Sequence, residues 1–248
     1  MTYSRFFIQF PLKPYYISQQ AVTLPVDTSH YMQRVLRLRL ADKVTVFDGL
    51  GGEYTAEICT VTKKTLSILL LAYDNVERES ALKTTLVQAI SKPEHMDFSI
   101  QKAVELGVTE IVPLITTRSP ALKAKVLEKR HGHWQKIIYS ACEQCGRNHL
   151  PVLHPVIDWH SWLQQPQTTS DDAVKWILEA SASQGLANYQ SQKLQAITLV
   201  IGAEGGLTEE ELQKFNQAGY QSIVFGQRIL RTETASTALL AICQACWG

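Results

Sequence analysis

Apolar and polar positions along this chain change rhythm near residue 80. Before it, Lys43-Val-Thr-Val-Phe47, Tyr54-Thr-Ala-Glu-Ile58 and Leu66-Ser-Ile-Leu-Leu-Leu71 are short runs rich in aliphatic and β-branched residues. Asp48-Gly-Leu-Gly-Gly52 supplies turn chemistry between the first two. Strands at this spacing suit a small barrel or sandwich, with a short helix around His30 to Leu38. Asp74-Asn-Val-Glu-Arg-Glu-Ser80 is polar and charged, and reads as a linker. After it, strands alternate with helices. Strands are expected over Leu86–Ile90, Ile111–Ile115, Val174–Leu178, Ile197–Ile201 and Ser222–Phe225. Met96, Ile100, Ala103 and Val104 recur at helical spacing and Gly107 closes that helix. A long helix lies within Val126 to Gly146, and others start at Glu209 and near Glu233. This alternation predicts a mostly parallel α/β sheet covered on both faces.

Composition narrows the class without naming a chemistry. With 248 residues, 45% hydrophobic and 19% charged, the chain can bury one large or two modest cores. No apolar run approaches the roughly 20 residues of a membrane span. The first residues lack the apolar core of a signal peptide, so a cytoplasmic protein is expected. A net charge of +1 is silent about nucleic acid, but its distribution is not. Arg34, Arg37, Arg39 and Lys43 cluster early, while Arg118, Lys123, Lys125, Lys129, Arg130, Lys136 and Arg147 cluster in mid-chain. Either group neutralises phosphates or forms an ordinary solvated face. The five cysteines include Cys142-Glu-Gln-Cys145 and Cys243-Gln-Ala-Cys246, with almost the whole C-terminal half between the pairs. Zinc ribbons separate such pairs by about 15–20 residues, so no metal is expected.

The densest candidate chemistry runs from Ile197 to Trp247. An apolar strand passes at Ile201 into Gly202-Ala-Glu-Gly-Gly206, and Thr208-Glu-Glu-Glu211 has the form of a capping box. Ligands of parallel sheets bind beyond the carboxyl ends of strands, where glycine lets backbone approach them. The loop matches neither GxGxxG nor GxxxxGK[ST], which disfavours a dinucleotide or a nucleotide phosphate. On its own it is equally a tight strand-to-helix turn. A second strand ends at Gly226 and leads through Gln227-Arg-Ile-Leu-Arg-Thr-Glu-Thr-Ala235 into a helix of small and apolar residues. Two such loops can line one pocket, with Arg228, Arg231 and Glu233 crowded into the second. An Arg231–Glu233 pair serving structure alone is the competing reading.

Ile201-Gly-Ala-Glu-Gly-Gly-Leu207 with Leu230-Arg-Thr-Glu-Thr-Ala235 resembles the paired signature of the RsmE family, the SPOUT-class methyltransferases that make N3-methyluridine in small-subunit ribosomal RNA. Arg5-Phe6-Phe7, His30 with Arg34-Val-Leu-Arg37, and Phe47-Asp-Gly49 resemble the family's N-terminal domain. Gln101-Lys102 with Glu105-Leu-Gly-Val108, and Ala141-Cys-Glu-Gln-Cys-Gly-Arg147 with Pro151, match its central motifs. Two positions depart from the pattern: Ala203 stands where the family usually has proline, and Leu178-Glu-Ala-Ser181 lacks a proline often found there.

The resemblance implies an α/β fold: a PUA-like β-barrel for RNA over 1–73, a linker over 74–83, and a SPOUT domain with a parallel sheet and a deep trefoil knot over 84–248. It implies S-adenosylmethionine as cofactor, held by Ile201, Gly202, Glu204, Gly205, Gly206, Gly226, Ile229, Leu230, Thr234 and Ala235. Arg231, Glu233 and Glu204 would be catalytic, with Arg231 facing developing charge on the uracil and a glutamate orienting it or taking the proton. Arg5, Arg34, Arg37, Arg39 and Arg147 would contact 16S rRNA within the small ribosomal subunit, and the protein would be a homodimer. A non-catalytic RNA-binding protein, or a SPOUT enzyme for another RNA site, is the alternative.

Overall fold

The computed structural model describes residues 4–165, 173–189 and 192–248. The change of rhythm near residue 80 is a boundary in it: one unit runs to Glu79 and includes Cys142–Leu150, and the other holds Ser80–Ala141 and Pro151–Gly248.

In the first unit, β1 (Arg5–Phe7), β2 (Val22–Thr23), β3 (Lys43–Phe47), β4 (Glu53–Val61) and β5 (Leu66–Asp74) form a sheet in the order β1-β3-β4-β5-β2. Its pairings are antiparallel except β1 with β3. Tyr54, Ala56 and Ile58 of β4, and Leu66, Ile68 and Leu70 of β5, are buried while their neighbours are not. This period of two puts them on one face, where they pack with Phe6, Met32, Val44 and Val46. The turn before β4 brings backbone against a ring, because a side chain on Gly52 would run into Tyr73. The helix expected over His30 to Leu38 is shifted. α1 (Lys13–Ser18) precedes it, and α2 (Val26–His30) continues as a π-helical turn over Tyr31–Val35. Pro25 marks its start, and the left-handed backbone at Arg37 (φ 56°) prevents its continuation.

Two arginines expected to grip RNA are instead used to hold this unit together. Arg5 pairs with Glu53, donates to Asn148 Oδ1 at 2.7 Å and lies 4.9 Å above the Phe47 ring. Arg147 is buried and pairs with Glu79. Glu143 accepts the Phe7 N–H at 2.9 Å, and burial raises its carboxyl above the ordinary range. Cys142–Leu150 therefore folds with the first unit, although the sequence reading left it with the second domain.

Burial works to raise the Glu53 carboxyl, but the Arg78 and Arg5 guanidinium groups outweigh it and hold the carboxyl below its usual range. A depressed folded value means that Glu53 contributes stability above the unfolded glutamate pKa, and that this is lost as pH falls through the folded value. Glu53→Gln is expected to flatten that acid limb. Urea midpoints of both proteins between pH 7 and pH 3 check this, and parallel curves would contradict it.

In the second unit the described residues contain β6 (Lys83–Ala89), β7 (Glu110–Ile115), β8 (Val152–Leu153), β9 (Ile157–Asp158), β10 (Val174–Leu178), β11 (Ala196–Ile201) and β12 (Gln221–Ile223). The order is β12-β10-β11-β6-β7-β8, with β9 also on β7, and every pairing is parallel. From Thr84 to Ala89 β6 is buried without interruption, and so is β11 from Ile197 to Ile201. Continuous burial is the mark of strands covered on both faces. The α-helices are α3 (Pro93–Glu105), α4 (Ala124–Cys145, whose last turn from Cys142 belongs to the first unit), α5 (Trp159–Gln164), α6 (Glu209–Gln217) and α7 (Thr232–Trp247). Met96, Ile100, Ala103 and Val104 form the buried stripe of α3. Beyond its end Gly107 takes φ 77°, and the Val108 N–H returns to the Ala103 carbonyl at 3.0 Å. The last expected strand is shorter than Ser222–Phe225: β12 ends at Ile223, and Val224 only bridges to Gly185. No helix among the described residues is long and apolar enough to cross a membrane.

Candidate active site at the carboxyl ends of the parallel strands

Because β6, β10, β11 and β12 are parallel, their carboxyl ends share one edge of the sheet, and the segments that follow them converge there. They enclose a cavity of about 420 Å³. The loop after β11 turns tightly: the Gly206 N–H donates to the Ala203 carbonyl at 2.8 Å and Gly206 takes φ 71°. A Cβ on Gly202 would lie 2.9 Å from the Gly206 backbone, so only glycine fits without displacing the turn. After the loop the expected capping box is present. Thr208 Oγ1 accepts the Glu211 N–H at 3.2 Å, and Glu211 Oε2 accepts the Thr208 N–H at 2.7 Å.

Three contacts from distant segments hold this loop. Arg118 Nη1 donates to the Gly205 carbonyl and, at 3.1 Å, to that of Leu207. Glu211 Oε1 accepts the Thr117 N–H at 2.7 Å. Thr232 Oγ1 donates to the Gly202 carbonyl at 2.6 Å and accepts from Gln88 Nε2 at 2.9 Å, linking α7, the glycine loop and β6.

Of the residues singled out in the sequence, Ile201, Gly202, Glu204, Gly206, Ile229, Leu230, Arg231, Glu233 and Ala235 line the cavity. Gly205, Gly226 and Thr234 do not. Gly205 faces Arg118, Gly226 carries the positive φ of 68° that turns the second loop, and Thr234 is exposed on α7. Arg231 is exposed at the start of α7 and makes no ion pair with Glu233 among the described residues, so a purely structural pair is not what these two form. Arg34, Arg37 and Arg39 are exposed on the first unit.

His95, on the first turn of α3, also lines the cavity and carried no signal in the sequence. Its Nδ1 is 2.9 Å from Glu204 Oε1 and 3.8 Å from Glu233 Oε2. Leu178, Glu179 and Ala180 at the end of β10, noted in the sequence only for the proline they lack, also line the cavity. Leu178, Ile201, Leu207, Leu212, Val224 and Phe225 make the walls largely apolar, while carboxylates and cationic groups also belong to the lining. Among the described residues no lysine lines the cavity. Such a site accepts a flat apolar ring and a small cationic group. The cysteine pairs lie apart from it: Cys142 and Cys243 are buried, which pushes their thiols up to about 12. Among the described residues no group of three or more His, Cys, Asp or Glu is placed to hold a metal.

A family model described as an RNA methyltransferase domain matches residues 78–244, and one described as an RNA methyltransferase PUA domain matches residues 24–71. The ribosomal RNA small subunit methyltransferase E of Buchnera aphidicola subsp. Schizaphis graminum is 34% identical, over 99% of this chain and 96% of its own length. That of Bacillus subtilis is 32% identical, over 83% of this chain and 82% of its own. The crystal structure of the corresponding Neisseria gonorrhoeae protein bound to S-adenosyl methionine has TM-score 0.88 and 37% identity, covering 100% of this chain and 99% of that one. A methyltransferase of Legionella pneumophila in complex with bound SAM has TM-score 0.92 and 33% identity, covering 100% and 99%.

Proposed function

The chain belongs to the ribosomal RNA small subunit methyltransferase E family of RNA methyltransferases, and from that premise we propose that it transfers the methyl group of S-adenosylmethionine to N3 of one uridine in the decoding region of 16S rRNA. The observation that carries the reading is the cavity framed by two glycine loops, with apolar walls and Arg231, Glu204 and Glu233 in its lining.

The residues present fit this cofactor. Ile201, Leu230 and their apolar neighbours suit an adenine ring, the glycine turn exposes backbone for hydrogen bonds, and the carboxylates suit a sulfonium and an ammonium. When bound, the cofactor supplies an electrophilic methyl group: an N3–C bond forms, the S–C bond breaks with its electron pair kept by sulfur, and the N3 proton leaves. The chain's part is to orient, to exclude water and to meet charge. Arg231 faces negative charge as it develops on the uracil carbonyls flanking N3, and a carboxylate takes the proton. Arg34, Arg37 and Arg39 contact RNA phosphates, and the reacting base leaves its stack to enter the cavity. The knot of the C-terminal domain, the homodimer and a cytoplasmic site of action belong to the same reading.

Titration calorimetry of the purified protein with S-adenosylmethionine tests the site directly. Saturable binding at one site per chain is expected, abolished by Gly202→Val. A wild-type protein that binds none of the cofactor would instead favour a non-catalytic RNA-binding protein. Arg118→Ala is expected to weaken binding about tenfold, because the loss of one charge-assisted bond loosens the glycine loop. An unchanged Kd would show that Arg118 does not brace the bound form.

A further inference from the structure

Glu204 and Glu233 stand in different surroundings, and His95 is the group between them. Glu204 Oε1 is held from two sides, by the Lys92 N–H at 2.9 Å and by His95 Nδ1 at 2.9 Å. Burial works to raise its carboxyl, yet hydrogen bonds from Lys92, its own backbone and His95 hold it below the ordinary range. A carboxylate stabilised in this way is a weak base.

Glu233 is placed otherwise. Its side chain is 13% exposed and belongs to a residue that lines the cavity, while its buried Oε2 has no hydrogen-bond partner among the described residues. Leaving such an oxygen unmatched is unfavourable, so a position of this kind is expected where a ligand's proton completes it. The Thr237 hydroxyl and that of Ser236 both donate to the Glu233 main-chain carbonyl, which fixes the backbone and leaves the carboxylate to the cavity. His95 Nδ1, 3.8 Å from Oε2, is too far for a hydrogen bond and close enough to define where that oxygen sits.

We infer that His95 is a positioning residue for methyl transfer: by binding Glu204 it commits that carboxylate to the loop, and it leaves Glu233 Oε2 as the acceptor of the uridine N3 proton. The inference rests on the methyl-transfer reading above. In the step, the N3–H bond breaks and its proton goes to Glu233 Oε2. The electron pair left on N3 forms the bond to the methyl carbon, and the pair of the broken S–C bond stays on sulfur. Release of product returns the proton from Glu233 to water.

The test combines rates with a spectroscopic readout that needs no turnover. His95→Phe is expected to lower kcat about tenfold with both substrates saturating. His95→Asn keeps a donor near the position of Nδ1 and is expected to recover most of that loss. In a Glu204→Gln background His95→Phe adds little, because His95 acts through Glu204. Glu233→Gln lowers kcat by about 10²-fold or more. In the cofactor-free protein, the ¹⁵N signal of His95 Nδ1 moves when Glu204 is replaced by Gln. Equal losses in the Phe and Asn variants, fully multiplicative losses in the double variant, or an unmoved Nδ1 signal would each overturn the inference. A wild-type protein that binds cofactor but transfers no methyl group overturns the underlying reading as well, whereas normal wild-type turnover with an unaffected His95→Phe variant overturns only this role.

Discussion

Replacing Arg231 by alanine is expected to lower the rate of methyl transfer about 10²–10³-fold, the range found when one preorganised donor to a developing oxyanion is removed. Arg231 lines the cavity but is exposed and makes no ion pair among the described residues, so its charge is not committed to holding the fold. It stands at the N-terminal cap of α7, where unpaired backbone N–H groups add positive potential. Uridine N3 is flanked by two carbonyl groups, and loss of its proton spreads negative charge over both. A guanidinium can face two such oxygens at once, whereas an ammonium acts as a point charge. Arg231→Lys should therefore recover only part of the rate. Single-turnover measurements with saturating cofactor and ribosomal subunits separate this from weakened binding. Full turnover by Arg231→Ala would remove Arg231 from the chemistry.

Glu211→Ala is expected to be the most damaging single change to the fold around the site, destabilising the protein by about 3 kcal/mol. Glu211 is fully buried, and its two oxygens accept the N–H groups of Thr117 and Thr208. Truncation orphans both donors, each at a cost of about 1–3 kcal/mol. In a chain of this size that loss lowers Tm by about 6–12 °C. Glu211→Gln keeps one acceptor oxygen and should lose roughly half as much. Thermal unfolding followed by circular dichroism measures both, and a shift below about 2 °C for the alanine variant would contradict the two-donor role.

The contrast between these two residues shows what was readable in the chain. The capping box is local: Thr208 and Glu211 are three residues apart, and their spacing alone predicts it. The bond from Glu211 to Thr117 spans 94 residues and has no local sign. The 13-residue α3 was legible because burial of one face imposes a helical period, and the five-residue β3 and β10 because they are compact runs of apolar and β-branched residues. The two-residue strands β2, β8 and β9 were not, since sheet partners define them rather than any pattern of their own. The glycine loops advertised the site, because tight turns at strand ends need particular residues. His95 did not, as its tie to Glu204 joins positions 109 apart. Charge misled in the opposite direction: Arg5 and Arg147 read as phosphate contacts, yet Glu53 and Glu79, 48 and 68 residues away, claim them. Thr234 was included because it falls within the Leu230–Ala235 signature, whereas helix geometry leaves it exposed.

The most direct test of the account is methyl transfer from labelled S-adenosylmethionine to small ribosomal subunits that lack the modification, followed by digestion and mass spectrometry of the nucleosides. The account predicts labelled 3-methyluridine, from a single site in the decoding region, made by the wild-type protein and lost in Arg231→Ala. No label in any nucleoside with a folded, cofactor-binding protein, or label in a nucleoside other than 3-methyluridine, would contradict it.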